Sequence, residues 1–421
     1  VSGRKGREGS VGGRTVTFEL YIHVPFCLRR CGYCDFNTYT AVDLGEGASR
    51  DNFAVMASME MHRLHQWQHE HAVIEPPLSS VFFGGGTPTT LAAEDLVSIL
   101  ATAREVWGIE EHAEITTEAN PDTVDEEYLQ TLKNGGFTRV SFGMQSAVPH
   151  VLKTLDRTHT PANVSANVAA AKRVGLEVSV DLIYGTPGES IEDWRVSVES
   201  ALDLDVNHIS AYALSLEPTT KMGRQVRRGD LPSPDDDDEA TKYEIADSLF
   251  DAAGLRWYEI SNWAKPGFES RHNLGYWRNV DWAAIGPGAH SHYAQVEGRR
   301  LVDDAQTAST LDDMYGIRAW DIAFPRVWAH QLHQSNLPWK DTERIFRSAN
   351  VEETVMLGLR LREGLAISRI QEVAGCVPDP ALLLELWREG LIEEPSSVIT
   401  ATLKGRLLND ALIGRILDAL E

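Results

Sequence analysis

Residues 21–39 read YIHVPFCLRRCGYCDFNTY and hold three of the chain's four cysteines, Cys27, Cys31 and Cys34, within eight positions. Thiolates are soft ligands that suit zinc, Cu(I) and iron–sulfur clusters. A structural zinc ion takes four ligands, usually from paired CxxC elements, and the chain has no second pair. His23 could complete such a site, but its place on the expected strand makes that an accident of position. A cubane cluster takes one cysteine per iron, so three thiolates leave one iron with an open coordination position. The spacing favours a cubane with an exchangeable fourth ligand over a zinc site or three unrelated thiols. Cys376 stands alone in VAGCVPDP and reads as a small, half-buried hydrophobe.

The 421 residues exceed one average domain and allow a large core with an accessory unit. Hydrophobic content of 43% and charged content of 24% are those of an ordinary globular protein. No apolar run approaches the ~20 residues that span a bilayer. The opening VSGRKGREGSVGGRTVTFEL is basic and Gly-rich without the apolar stretch of a secretory signal. A flexible lead-in over 1–16 and a cytoplasmic protein are expected. With 39 Lys+Arg against 62 Asp+Glu, the net charge of -23 repels phosphates and argues against a nucleic-acid partner.

Over residues 17–262, β-rich runs such as SVFFGGG, FTRVSFGMQ and LEVSVDLIYG alternate with longer helical patterns, several stopping at Gly135, Gly175 and Gly254. This alternation predicts an α/β fold with a parallel sheet, closed as a full or partial (β/α) barrel. Ser233-Pro234 before the acidic run 235–238 reads as a helix start, with Ser at the N-cap and Pro first in the helix. His62, His65 and His69 share a helical face expected to be solvated. Residues 263–325 are expected to connect the barrel to a small C-terminal unit, 326–421. Its runs VEETVMLGLRL, AISRIQEVAG, PALLLELWREGLIEE, SSVITATLKGR and LLNDALIGRILDALE read as helices with one short strand between the last two, a winged-helix-like pattern.

Barrel enzymes place their chemistry at the C-terminal ends of strands, and the polar oddities fall there. After SVFF come Gly84, Gly85, Gly86, Thr87 and Pro88, a stretch whose backbone can approach a ligand closely. No Lys-Ser/Thr follows, so it is not a Walker loop. Glu118 and Asn120 follow AEITT, Gln145 follows VSFGM, and Asp181 sits inside an apolar strand. Each alone reads as a hydrogen-bonded strand end. Together they read as one pocket, whose amides and carboxylates suit amino and ribose hydroxyl groups.

CxxxCxxC after an aromatic strand resembles the signature of radical S-adenosylmethionine (SAM) enzymes. The resemblance implies a 4Fe-4S cluster on Cys27, Cys31 and Cys34 in a partial barrel, with SAM chelating the fourth iron. YIHVPFC, GGGTPT, EANPDT, FGMQS, DLIYGTPGES and GPGAHS resemble, over nearly the whole chain, a narrower group. It joins oxygen-independent coproporphyrinogen III oxidases with HemW-type heme chaperones. The match implies that Tyr21, Tyr33, Gly85, Glu118 and Ala213 line SAM. Gly86, Thr87, Gln145, Arg157 and Asp181 match residues that hold a second SAM in the oxidase; use of that position stays open.

Three departures separate the chain from the oxidase pattern. Phe36 stands two positions after Cys34, where the oxidase ordinarily carries a further Cys. The residues before Tyr21 are too polar to form the oxidase's substrate cover. RHNLGYW, 271–277, places His272, Asn273, Tyr276 and Trp277 in the HNxxYW pattern of the heme chaperones. Imidazole is a common axial ligand of heme iron, and Tyr and Trp offer flat apolar surface. The plainer alternative is that His272, Tyr276, Trp277 and Trp282 plug the barrel and His272 only hydrogen-bonds. The resemblance favours heme contact there, and a chaperone that binds heme and transfers it to apo-hemoproteins. Membrane-bound respiratory acceptors and a homodimer are compatible with it. The alternative is an enzyme that oxidatively decarboxylates coproporphyrinogen propionates.

Overall fold

The computed structural model describes residues 10–11, 14–15, 17–296, 298–301 and 314–420. Apart from a short pairing of Ser10–Val11 with Arg14–Thr15, the expected lead-in over 1–16 lies outside the described residues.

Six strands, β1 (Phe18–Val24), β2 (Leu78–Gly85), β3 (Ile109–Ala119), β4 (Arg139–Gln145), β5 (Glu177–Tyr184) and β6 (His208–Ala213), pair in parallel in sequence order. The crossovers carry helices α1 (Phe53–Glu70), α2 (Ala93–Trp107), α3 (Glu126–Gly135), α4 (Pro161–Arg173) and α5 (Ile191–Asp203). Local chemistry starts these helices where it should. Asp125 accepts the Tyr128 N–H ahead of α3, and Ser190 forms a reciprocal capping box with Asp193 at α5. Helix α6 (Asp236–Ala252) begins later than expected: its cap is Asp235, whose carboxylate accepts the Asp238 N–H, not Ser233. An aspartate at that position reaches the third amide, and Pro234 stays in the approach.

Successive strand residues face opposite sides of a sheet. In β1, Leu20, Ile22 and Val24 are fully buried in the main hydrophobic cluster, while Glu19, Tyr21 and His23 alternate with them. The same alternation puts Ser80 and Phe82, Thr116 and Glu118, Arg139 and Ser141, Ser179 and Asp181, and His208 and Ser210 on the inner face. The barrel interior is therefore polar.

The sheet extends beyond these six strands at both ends. β7 (Arg256–Glu259) and β8 (Asn262–Ala264) add to the β6 edge, β9 (Asp281–Ile285) runs parallel to β1, and β10 (His290–Ala294), β11 (Met314–Asp321) and β12 (Trp339–Phe346) follow antiparallel. The resulting 12-stranded sheet has two free edges, so the barrel is partial.

Three sequence expectations need correction here. Residues 263–325 supply strands of the main sheet, and that sheet continues past 325 to Phe346. α8 (Pro325–His333) packs on the barrel: Trp328 stacks on Phe53 at 5.9 Å and donates to Glu60 at 2.9 Å. A separate apolar cluster runs from Val355, in α9 (Arg347–Gly358), to Ile416. Within it Leu365–Ala366 pairs with Val398–Ile399. The expected strand thus precedes the helix Leu403–Leu407, which Thr402 caps, and Leu408 alone separates that helix from Asn409–Asp418. Arg406 ties this cluster to α6 through two bonds to Asp247, at 3.0 and 2.8 Å, and lies 4.2 Å from the Trp257 ring centroid. Cys376 is exposed, not half-buried. No helix among the described residues is long and apolar enough to cross a membrane.

Trp328→Ala opens a cavity beside Phe53 and leaves the buried Glu60 carboxyl without its indole donor. A loss of ~3–5 kcal/mol is expected, read by chemical denaturation with circular dichroism. A loss below ~1 kcal/mol would show that α8 is not part of the main core.

Candidate functional site

After β1 the cysteine loop folds back on itself. Cys27 N–H donates to Tyr39 O at 3.0 Å, and Tyr39 N–H to Pro25 O at 2.7 Å. Arg50 donates to the Cys27 carbonyl at 2.9 Å. Cys27 is buried and Cys31 and Cys34 are half-buried. Two sulfurs have donors beside them: Thr87 Oγ1 lies 3.7 Å from Cys27 Sγ and Arg157 Nη1 3.7 Å from Cys31 Sγ. Burial pushes the Cys27 and Cys34 thiols up, so these two sulfurs lose their protons when a metal is bound. Among the described residues, no three His, Cys, Asp or Glu groups stand close enough to share one metal ion. A cubane, which takes one thiolate per iron, needs no such convergence. His23 is committed elsewhere: Tyr21 O–H donates to its Nδ1 at 3.1 Å, and its Nε2–H donates to Asn37 O at 3.0 Å. Neither nitrogen is free to complete a zinc site.

A cavity of about 540 Å³ opens over the cysteines. Tyr33, Gly85, Gly86, Thr87, Glu118, Gln145, Arg157, Asp181 and Ala213 all line it with Cys27, Cys31 and Cys34. Tyr21 instead lines an adjoining cleft, with its ring stacked on Phe82 at 6.3 Å. The glycines have a steric reason. A Cβ on Gly86 would lie 2.6 Å from the Phe26 carbonyl, and Gly85 adopts φ 105° with the His23 ring against it. Gln145 has φ 62° at an irregularity of the β4–β5 pairing, which turns its side chain into the cavity.

Charge is held tightly here. Arg157 donates to Gly143 O at 2.9 Å, and Ser141 Oγ donates to Asp181 at 3.0 Å. Burial and the Asp181 carboxylate push Glu118 up to about 8, and burial pushes Asp181 up to about 6. Gln145 Oε1, Arg157 Nε and Thr116 Oγ1 are buried without hydrogen-bond partners. Buried polar atoms are rarely left so. A ligand rich in hydroxyl, amino and carboxylate groups, as SAM is, would satisfy them, so the residues present fit it.

The opposite end of the barrel is closed by α7 (Arg271–Trp277), which carries the HNxxYW pattern. Glu114 accepts from Ser270 Oγ at 3.1 Å, Arg271 N–H at 3.0 Å and His272 N–H at 3.3 Å. His272 is 1% exposed, with Nδ1 at 2.7 Å from Ser80 Oγ, Nε2 at 3.0 Å from Tyr276 Oη and its ring stacked on Phe82 at 5.1 Å. Burial lowers its pKa to about 3, so it is neutral. Both nitrogens are engaged inside the protein, the arrangement expected of the plainer alternative in which His272 plugs the barrel. Asn273 lines the cofactor cavity and Tyr276 the adjoining cleft, while Trp277 lines neither and lies under Arg360 at 5.8 Å.

That cleft has a volume of about 600 Å³, between β1, the β9–β10 turn and α9. Tyr21, Phe36, Tyr276, Trp282, His290, Met356 and Leu357 are among its lining residues. Sequence reasoning missed Arg139, Ser141, Ser179, His208 and Ser210 on the cofactor cavity wall. The available signal was their period-2 spacing along consecutive strands. It also left His290 unassigned within GPGAHS.

The family profile described as the Radical SAM superfamily matches residues 21–201. Over 403 residues the chain is 40% identical to the heme chaperone HemW of Mycobacterium tuberculosis (strain ATCC 25618 / H37Rv), covering 95% of each protein. Over 407 residues it is 33% identical to the heme chaperone HemW of Bacillus subtilis (strain 168), covering 96% of this chain and 100% of that one. The solved structure of the Escherichia coli coproporphyrinogen III oxidase HemN, a radical SAM enzyme, superposes with a TM-score of 0.74 over 96% of this chain and 90% of that one. At 21% identity this is a likeness of fold. The chain belongs to the radical SAM superfamily and, within it, to the HemW family.

Proposed function

We propose that this protein is a cytoplasmic heme chaperone that binds heme and hands it to apo-hemoproteins, with a 4Fe-4S cluster on Cys27, Cys31 and Cys34 and SAM at the vacant iron. The observation that carries the reading is the continuity of the two cavities: Phe36, Gly85 and Glu118 line both. A polar cofactor pocket thus opens directly into an apolar cleft whose volume falls within the ~300–1,000 Å³ of ligand sites. Relatives at 33% and 40% identity along most of the chain carry the heme chaperone name.

When bound, the cluster supplies a Lewis-acidic iron corner and an electron. The chain's residues hold and tune that corner. Arg157 donates toward Cys31, and Thr87 toward Cys27. The glycines at 85 and 86 let main chain approach the ligand, while Glu118 offers a carboxylate to the cationic end of SAM. Gln145, Arg157 and Asp181 favour a second reading, porphyrinogen decarboxylation, because they line the cavity and match residues that hold a second SAM in the oxidase.

Three measurements test this. Cys31→Ala leaves two thiolates, and the visible iron–sulfur absorbance of anaerobically reconstituted protein should vanish; retention would reassign the cluster. A cation beside Glu118 favours its carboxylate and releases a proton on binding. SAM affinity should therefore climb with pH, at most roughly tenfold per unit, and level off above about 8. Glu118→Gln should flatten that profile in calorimetric titrations. Finally, the anaerobic protein should take up heme stoichiometrically and convert no coproporphyrinogen in the presence of SAM and reductant. Turnover to decarboxylated product would favour the oxidase.

A further inference from the structure

GPGAHS, residues 286–291, has no part in the cofactor pocket, yet Gly288, Ala289 and His290 form a rim of the adjoining cleft. The turn is fixed from several sides. Gly286 N–H donates to Glu60 at 2.8 Å, Asn37 Nδ2 donates to Pro287 O at 2.8 Å, and Asp321 N–H donates to Ala289 O at 2.9 Å. Trp282 Nε1 donates to His290 O at 2.7 Å. Gly286 has φ 107° and leaves no room for a Cβ beside the His23 carbonyl. So rigid a turn presents one side chain in a fixed place. That side chain is His290, exposed at the start of β10, with its ring flat against Trp320 at 6.0 Å and 18°.

The other imidazoles nearby are occupied. His272 and His23 use both ring nitrogens, and His292 is buried with Nδ1 on Val280 O at 3.0 Å. Among the described residues, the ring nitrogens of His290 carry no hydrogen bond. Partial desolvation and the Arg318 charge lower its pKa, so the ring is neutral and keeps a lone pair for a metal. Around it the cleft offers Trp282, Tyr276, Leu357 and the Met356 thioether, flat or soft apolar surface suited to a macrocycle.

We propose that His290 is the axial ligand to the iron of a heme seated in this cleft, beside the SAM pocket. The imidazole lone pair fills one axial position and displaces water, with no change in iron oxidation state. This inference rests on the chaperone reading.

The test titrates hemin into the full-length, cluster-loaded protein and records the Soret band and ferric EPR. Wild type should bind one heme with an imidazole-type spectrum. His290→Ala should weaken binding by at least about tenfold and shift the Soret band, with added imidazole restoring the spectrum and the cluster absorbance unchanged. His272→Gln should keep the wild-type spectrum. An unaltered spectrum and affinity in His290→Ala would overturn the assignment, as would loss of the imidazole signature in His272→Gln alone. Absence of heme uptake by the wild type would overturn the chaperone reading itself, and this inference with it.

Discussion

A barrel lined with carboxyls, hydroxyls and a guanidinium must hydrogen-bond them or bear ~1–3 kcal/mol for each left alone. This constraint organises the molecule. Some partners are internal: Arg139 donates to Glu177 at 3.1 Å and to Phe268 O at 2.7 Å, and Glu114 takes three donors from the start of α7. Others are missing, and Gln145, Arg157 and Thr116 hold unpartnered polar atoms at the cofactor cavity. The same inner face is therefore structural in part and ligand-ready in part.

The HNxxYW pattern acquires a physical meaning from this division. Gly275 is small because the Glu19 carboxyl lies where its Cβ would be. That close approach seats α7 on the barrel floor and sends Tyr276 toward the cleft. Tyr276 meets His272 through its hydroxyl and Trp282 edge-on at 4.9 Å, and Trp282 holds the His290 carbonyl. A chain of contacts thus runs from floor to rim. Changes in the pattern would alter the cleft through its shape.

Much of this was legible in the sequence because it is local. The cysteine spacing, the glycine run after β2 and the strand–helix alternation each depend on neighbours within a few positions, and the cavity gathers the residues they flagged. The burial of His272 was not legible, since a motif states which residues occur together but not which way a helix faces. Nor was the sheet beyond β8: DWAAI and HSHYA are short runs of mixed polarity, and only their pairing with β1 and β11 makes them strands. The inner serines escaped notice because Ser141, Ser179 and Ser210 match the polar face of any half-exposed strand, and closure of the sheet is what turns that face inward.

Cofactor pocket and cleft also form one mechanical unit. Asn37, on the cysteine loop, donates to Pro287 O at 2.8 Å and to Ala323 O at 2.7 Å, while its own carbonyl accepts His23, which in turn accepts Tyr21. A shift of the cysteine loop cannot leave the GPGAHS turn in place without breaking the bond to Pro287. Bonds of this kind contribute about 0.5–1.5 kcal/mol each, so the linkage reaches the ~1–3 kcal/mol over which two sites ordinarily influence one another. That is large enough to alter affinity in the cleft by about tenfold, yet too small to hold the cleft shut. Ordering the cysteines around a cluster and positioning His290 are consequently two ends of one hydrogen-bonded span.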